Sequence, residues 1–488
     1  MQMPLKLTAL LAAVLLLAAP PATAHHAPAI SPAQTRPTLP APSVTHHTID
    51  LPGRTLHFTA TAGAITVTAD DGTPEADIAT IAYTLDGAPV LRPVVFAFNG
   101  GPGFASAFVQ HGGFGPWRIP MDDVPSSPPS ARPNAETWLD FADLVFIDPV
   151  ETGYSRFDTK DESVRKRLLS VSGDINAIAQ VIRDWLEANH RLLSPKFIAG
   201  ESYGGFRAPR ITRMLQSELG IGIDGLILIS PVLDTGGSAA FNPLRWVALL
   251  PTYAAVNRAA DGNVSEASLA DVEAYATGEY FQDQLKVAHD PAALDRITSK
   301  VSALTGVDPT LVRRMRGRID IATFLREHQP GQFGSFYDAT LTDPRAVDAN
   351  PWFPEPEPIT SRLTAPFTEA MLQIYDQLRW HPDGHYQLQN GAVERQWDWQ
   401  KNHQAPEAIT ALRIDLAVDP HLRVLIAHGL YDTATPYFQT KMILGSIPDI
   451  GAPDRITLLC LPAGHMVYAR DVPRRTLHDA VRHLVVGE

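Results

Sequence analysis

Apolar positions in this chain follow two different rhythms. Over residues 54–61, 64–68 and 78–85, β-branched and apolar residues alternate with polar ones between Gly, Asp and Pro punctuation, which predicts antiparallel strands. Residues 92–98, 144–147, 197–199 and 226–229 are instead short, continuous apolar runs, the pattern of strands buried on both faces. Between the second and third of these, Ile175, Ile178, Val181, Ile182, Trp185 and Leu186 recur at helical spacing. A further helix is predicted from Tyr203 to about Leu219. The buried runs resume at 423–427 and 456–461, and a last helix runs from 472 to about 486, with Asp471 as its N-cap and Pro473 in its first turn. Alternating buried strands and helices predict an α/β fold: a mostly parallel central sheet with helices on both faces.

From about Asp234 to Asn402 the alternation stops. Helical segments at 268–276 and 309–316 are separated by Pro- and Trp-rich loops around 350–358 and 397–399. Because the sheet pattern returns afterwards, this stretch reads as a largely helical cap inserted into the core. The expected organisation is therefore a leader (1–24), a Pro/Ala-rich linker (25–44), the first part of the core (45–233), the cap (234–402) and the second part of the core (403–488).

The 488 residues, 45% apolar and 19% charged, suffice for a sizeable core. A net charge of −13 argues against nucleic acid as a partner. The apolar Leu/Ala run to Ala19 ends at Ala22-Thr23-Ala24, the small-x-small pattern of a secretory signal peptide, and is too short to span a membrane comfortably. The expectation is a periplasmic or secreted protein with no stable membrane insertion after cleavage. Cys460, the one cysteine, lies in an apolar run and reads as a buried structural thiol. His25-His26 and His46-His47 lack further ligands at metal-binding spacing and read as solvated histidines, so no metal is expected. There is no P-loop or dinucleotide fingerprint, and no cofactor is expected. Ser163-Val164-Arg165-Lys166 matches an S-x-x-K pattern, but its companion K-T-G is absent and its surroundings are charged.

The chemistry centres on Gly200-Glu201-Ser202-Tyr203-Gly204, where a buried strand breaks abruptly into a helix. In that context G-x-S-x-G is a nucleophile elbow, a sharp turn that pushes a serine hydroxyl clear of the sheet. A serine needs a base, and the base needs an acid to orient it. Asp432 follows the strand at 423–427 and His465 follows the strand at 456–461, in the chain order Ser, Asp, His. Two backbone amides are needed to hold an oxyanion. Tyr203, next to the nucleophile, supplies one; Gly101, in the Asn99-Gly100-Gly101-Pro102-Gly103 turn, is the candidate for the other.

These stretches, with Asp148-Pro149-Val150-Glu151-Thr152-Gly153-Tyr154-Ser155 and Gly464-His465-Met466-Val467, make the chain resemble the serine carboxypeptidases of the cathepsin A and carboxypeptidase Y group, which are α/β-hydrolases. The resemblance implies peptide substrates, a triad of Ser202, Asp432 and His465, and an oxyanion hole from Gly101 and Tyr203. It also implies that Asn99 and Glu201 hold the substrate's terminal carboxylate, with a proton shared between the two carboxyls. The chain departs from the family at three positions. Gly113 stands where a second glutamate is usual, Phe104 replaces a disulfide cysteine, and Glu151 replaces a glycine. The first departure keeps open an esterase or acyltransferase on the same triad; a non-catalytic binding protein on a hydrolase scaffold is a further alternative.

Overall fold

The structure is a computed structural model that describes residues 39–121, 131–236, 242–260, 262, 264–344, 357–399 and 405–487. The expected leader, most of the linker, His25-His26 and most of the loop at 350–358 lie outside these residues.

Among the described residues, nine strands carry the main sheet: β1 (Ser43–Leu51), β2 (Arg54–Thr68), β3 (Pro74–Leu85), β4 (Val94–Phe98), β5 (Asp143–Ile147), β6 (Lys196–Glu201), β7 (Gly225–Ile229), β8 (Arg423–Gly429) and β9 (Ile456–Leu461). A two-residue strand, Arg156–Phe157, pairs alongside β3. The order across the sheet is β1-β2-β3-β5-β4-β6-β7-β8-β9. β1, β2, β3 and β5 pair antiparallel, and from β5 to β9 every pairing is parallel. The continuous apolar runs form the parallel part because its strands are covered on both sides. Strand β6 shows how: Phe197 and Ala199 face one core cluster and Ile198 the other.

Helices α1 (Val171–Ala188) and α2 (Tyr203–Ser217) cover one face, burying Ile178, Ile182, Ala208, Ile211 and Leu215. The last helix, Asp471–Val486, covers the other through Leu477, Val481 and Leu484. Asp471 is the first residue of that helix and not its cap, which is Arg470; its carboxylate accepts from Arg474 at 2.7 Å, one turn on.

Between β7 and β8 the chain runs through helices that divide into two groups. Pro243–Ala259 and Pro291–Thr305 belong to a separate apolar cluster, in which Tyr253 and Phe324 stack at 3.9 Å. Pro358–Gln377 returns to the sheet, with the Phe367 ring tilted against Phe108 at 4.7 Å.

Four local expectations need correction. Residues 54–61 and 64–68 form one strand, because Gly63 stays in register opposite Thr80 and does not interrupt the ladder. Strand β1 was hidden by its polar sequence: only Ile49 and Leu51 in it are buried. His47 is not solvated but stacks at 5.5 Å on Phe58, whereas His46 is exposed and pairs with Thr59 at 3.0 Å. Cys460 is half-buried on the edge strand β9. The S-x-x-K serine, Ser163, sits in the first turn of an exposed helix, where Asp161 caps its amide at 2.8 Å.

One buried ion pair ties the helices to the sheet. Arg207, on α2 and fully buried, donates to Asp174 on α1 at 2.6 Å and to the carbonyl of Asn99, just past β4, at 2.6 Å. Burial pushes the Asp174 carboxyl above its ordinary range, and the Arg207 charge only partly offsets this. Deleting one partner strands the other, so Arg207→Ala is expected to cost about 3–5 kcal/mol in urea unfolding, and Arg207→Met with Asp174→Leu to recover most of it. Equal losses in the single and double variants would contradict this.

Candidate active site

Ser202 stands at the junction of β6 and α2 with φ 60° and ψ −120°, a backbone conformation that a residue with a side chain rarely adopts. The neighbouring glycines make this turn possible. A Cβ on Gly200 would overlap the Gly204 carbonyl, and one on Gly204 would lie 2.9 Å from the Phe98 carbonyl oxygen. The turn is fastened by the Ser202 amide, which donates to Ile229 at 2.9 Å, and by the Ser202 carbonyl, which accepts from Gly205 at 2.9 Å and Val232 at 3.2 Å. Such strain costs on the order of 1–3 kcal/mol and persists where the surroundings over-determine it.

The 99–103 turn passes directly over this elbow. A Cβ on Gly100 would lie 2.5 Å from the Tyr203 amide nitrogen and 2.9 Å from Ser202 Cβ, so the Gly100–Gly101 peptide approaches the Ser202–Tyr203 peptide more closely than any side chain would permit. Gly101 has φ 100°, a value suited to glycine.

His465 is buried on the loop after β9, with its Nδ1 2.7 Å from Asp432 Oδ2. A carboxylate only accepts, so Nδ1 carries the proton and Nε2 is left as the basic nitrogen. Asp432 is fully buried and saturated by donors. Its Oδ1 accepts from the amides of Ala434 at 2.8 Å and Thr435 at 3.1 Å, and its Oδ2 also accepts from the Thr435 hydroxyl at 2.6 Å. The backbone of His465 is clamped from two sides: its amide donates to Tyr337 at 2.6 Å and its carbonyl accepts from the Ser230 hydroxyl at 2.7 Å. Burial lowers the His465 pKa, but the Asp432 charge, its hydrogen bond and Glu201 together raise it above the ordinary histidine value.

Beside them, Asn99 donates to Glu201 Oε1 at 3.0 Å while its own oxygen accepts from the Val109 amide at 3.0 Å. Glu201 is buried, and its Oε2 has no hydrogen-bond partner among the described residues. Desolvation pushes its carboxyl up to about 7; His465, Tyr468 and Asn99 oppose that rise and the Asp432 charge adds to it.

One cavity of about 280 Å³ gathers these groups: Asn99, Gly100, Gly101, Glu201, Ser202 and His465 line it, with Phe104, Phe108, Tyr337 and Met466 as apolar walls. Asp432 and Tyr203 lie outside the lining: Asp432 is bonded to His465, and the Tyr203 ring is packed between Phe206 and the indoles of Trp397 and Trp399. Of the residues singled out in the sequence, Asn99, Gly101, Glu201, Ser202 and His465 share this cavity, Asp432 meets it through His465, and Tyr203 adjoins it as the chain neighbour of Ser202. Glu151, in the position where glycine is usual, has φ 62°, which explains that preference. Sequence reasoning missed Thr435, Ser230, Tyr337 and Tyr468. Thr435 had a local signal, three residues after Asp432 in a turn-forming Asp-Thr-Ala-Thr run; Tyr337 had none, because it arrives from the stretch inserted between β7 and β8.

A strained serine at the carboxyl end of a central parallel strand, with an Asp-paired histidine on a late loop beside it, is the arrangement of an α/β-hydrolase, and the fold agrees. The structure aligns with the crystal structure of Kex1(delta)p, a prohormone-processing carboxypeptidase from Saccharomyces cerevisiae, at a TM-score of 0.55 and 15% identity over 88% of this chain and 90% of that one. The family model for serine carboxypeptidase matches residues 82–448, a span that includes Ser202 and Asp432 and stops short of His465. The chain belongs to the serine carboxypeptidase family. Among curated proteins, the pheromone-processing carboxypeptidase KEX1 of Yarrowia lipolytica is 32% identical over 139 residues, 28% of this chain and 21% of that protein. The Saccharomyces cerevisiae KEX1 is 32% identical over 127 residues, 24% and 16% respectively. The chain therefore matches about a fifth of the length of these relatives.

Among the described residues, Thr435 makes the one side-chain hydrogen bond to Asp432 other than that of His465. Thr435→Val keeps the shape and removes a donor to a carboxylate, so kcat for any hydrolysed substrate should fall about tenfold with KM little changed. An unchanged kcat would contradict this role.

Proposed function

We propose that the protein is a secreted or periplasmic serine carboxypeptidase that removes residues from the C-termini of peptides through an acyl-enzyme. The observation that supports this most strongly is the shared cavity in which a buried, half-satisfied carboxyl and its asparagine adjoin the strained serine and the Asp-paired histidine.

In this reading Ser202 attacks the scissile carbonyl as His465 Nε2 takes its proton, and Asp432 holds the imidazole in the required tautomer. The amides of Gly101 and Tyr203 receive the oxyanion. His465 then returns the proton to the leaving amine, and water repeats the sequence on the acyl-enzyme. Glu201, protonated, donates to the terminal carboxylate of the substrate, and Asn99 fixes the orientation of Glu201. An esterase or acyltransferase on the same triad is favoured by one observation: Gly113 stands where the resemblance places a second glutamate, so Glu201 lacks that partner, and the other carboxyl lining the cavity, Glu394, comes from the stretch inserted between β7 and β8.

The two readings separate on a peptide and its C-terminal amide. A carboxypeptidase should turn over the free acid far faster, and equal turnover would count against it. The pH dependence follows from Glu201. It gives up its proton as pH rises through about 7, leaving carboxylate facing carboxylate, so kcat/KM on free acids should fall above that point by about tenfold per pH unit. His465 must be neutral to act as base, which produces the acid limb. A free-acid profile that keeps climbing through neutrality would sink the role given to Glu201.

A further inference from the structure

Gly113 leaves a question of what faces Glu201 in place of the second glutamate. The hollow that a side chain at that position would occupy is filled from the other end of the chain. A Cβ on Gly113 would lie 2.8 Å from Tyr468 Cβ, and one on Gly112 would overlap the Tyr468 ring itself. Tyr468 is fully buried on the short helical turn Val467–Ala469, and its ring meets Phe114 edge to face at 5.5 Å. Its hydroxyl interacts with Glu201 and Asn99. Neither the Tyr468 hydroxyl nor Glu201 Oε2 has a hydrogen-bond partner meeting full geometry among the described residues, so an unspent donor and an unspent acceptor are buried side by side.

We propose that Tyr468 is a positioning residue for Glu201: its phenol fills the space opened by Gly112 and Gly113 and offers the carboxyl a neutral donor where the family places a second carboxyl. Tyr468 is not among the residues lining the cavity and acts through Glu201. The groups facing Glu201 are Asn99, Tyr468, Tyr337, His465 and Asp432; Glu394 lines the same cavity, but among the described residues no carboxyl is hydrogen-bonded to Glu201. A second carboxylate would disfavour ionisation of Glu201, whereas a phenol donor favours it. Carboxylate binding at Glu201 is accordingly governed by the proton on that carboxyl, and Tyr468 sets where on the pH scale it leaves.

The inference rests on the proposed role of Glu201, and its test is read first without substrate. In protein carrying carboxyl-labelled glutamate, the ¹³C resonance lost in Glu201→Gln is titrated in the wild type and in Tyr468→Phe, which keeps the ring and hence the packing. The Glu201 pKa should rise by about one unit in Tyr468→Phe, since a hydrogen bond to the charged form has been removed. Gly113→Ala, which crowds the base of the phenol, should raise it in the same direction. A pKa unchanged or lowered in Tyr468→Phe would overturn the proposal. In turnover, the alkaline limb for a free-acid peptide should move up by a similar amount in Tyr468→Phe while the profile for the C-terminal amide keeps its place on the pH axis. Equal displacement of both profiles would show a merely structural tyrosine and also overturn it. Should amides and free acids be cleaved alike in the wild type, the carboxypeptidase reading fails, and the titration still decides what Tyr468 does.

Discussion

The constraint on which this structure depends is steric and lies in the backbone. Ser202 holds a positive φ where two peptide segments, the elbow after β6 and the turn after β4, approach each other with no room for a Cβ at Gly100 or Gly204. The parallel pairing of β4 with β6 brings the two segments to the same edge of the sheet. Packing on both faces then holds that edge rigid, so the strain at one residue is borne by the whole layer. Shifting either strand by one residue would exchange every inward side chain for an outward one and lose the approach.

Around that fixed point the buried charges are treated in two ways. Asp432 has donors on both oxygens: two backbone amides on one, and the Thr435 hydroxyl and His465 on the other. Glu201 is satisfied on one oxygen by Asn99 and left open on the other, with its ionisation displaced towards neutrality. A saturated carboxylate is suited to a constant task and an unsaturated one to binding that depends on protonation. Both sit within reach of the same imidazole, so the ionisations of Glu201 and His465 are coupled.

Much of this was legible in the sequence because it is local. The continuous apolar runs announced the parallel strands, and the glycines flanking Ser202 announced its elbow. Asp432 and His465 could be found because each directly follows such a run. What was hidden depends on contacts between distant segments. Strand β1 carries the polar run Thr45-His46-His47-Thr48 and is placed by pairing along the length of β2. Tyr337 reaches His465 from the inserted stretch, and Tyr468 meets Gly112 and Gly113 across more than three hundred residues; no spacing rule encodes either contact. The sequence showed a glutamate missing at Gly113, and only the folded chain shows that the hollow is filled.

The most direct measurement of the central claim is a crystal structure of the protein after reaction with a fluorophosphonate. The account predicts phosphorus bonded to Ser202 Oγ, with the phosphoryl oxygen within hydrogen-bond distance of both the Gly101 and Tyr203 amides and the His465 imidazole beside Ser202. Modification at another residue, or a phosphoryl oxygen turned away from those two amides, would contradict it.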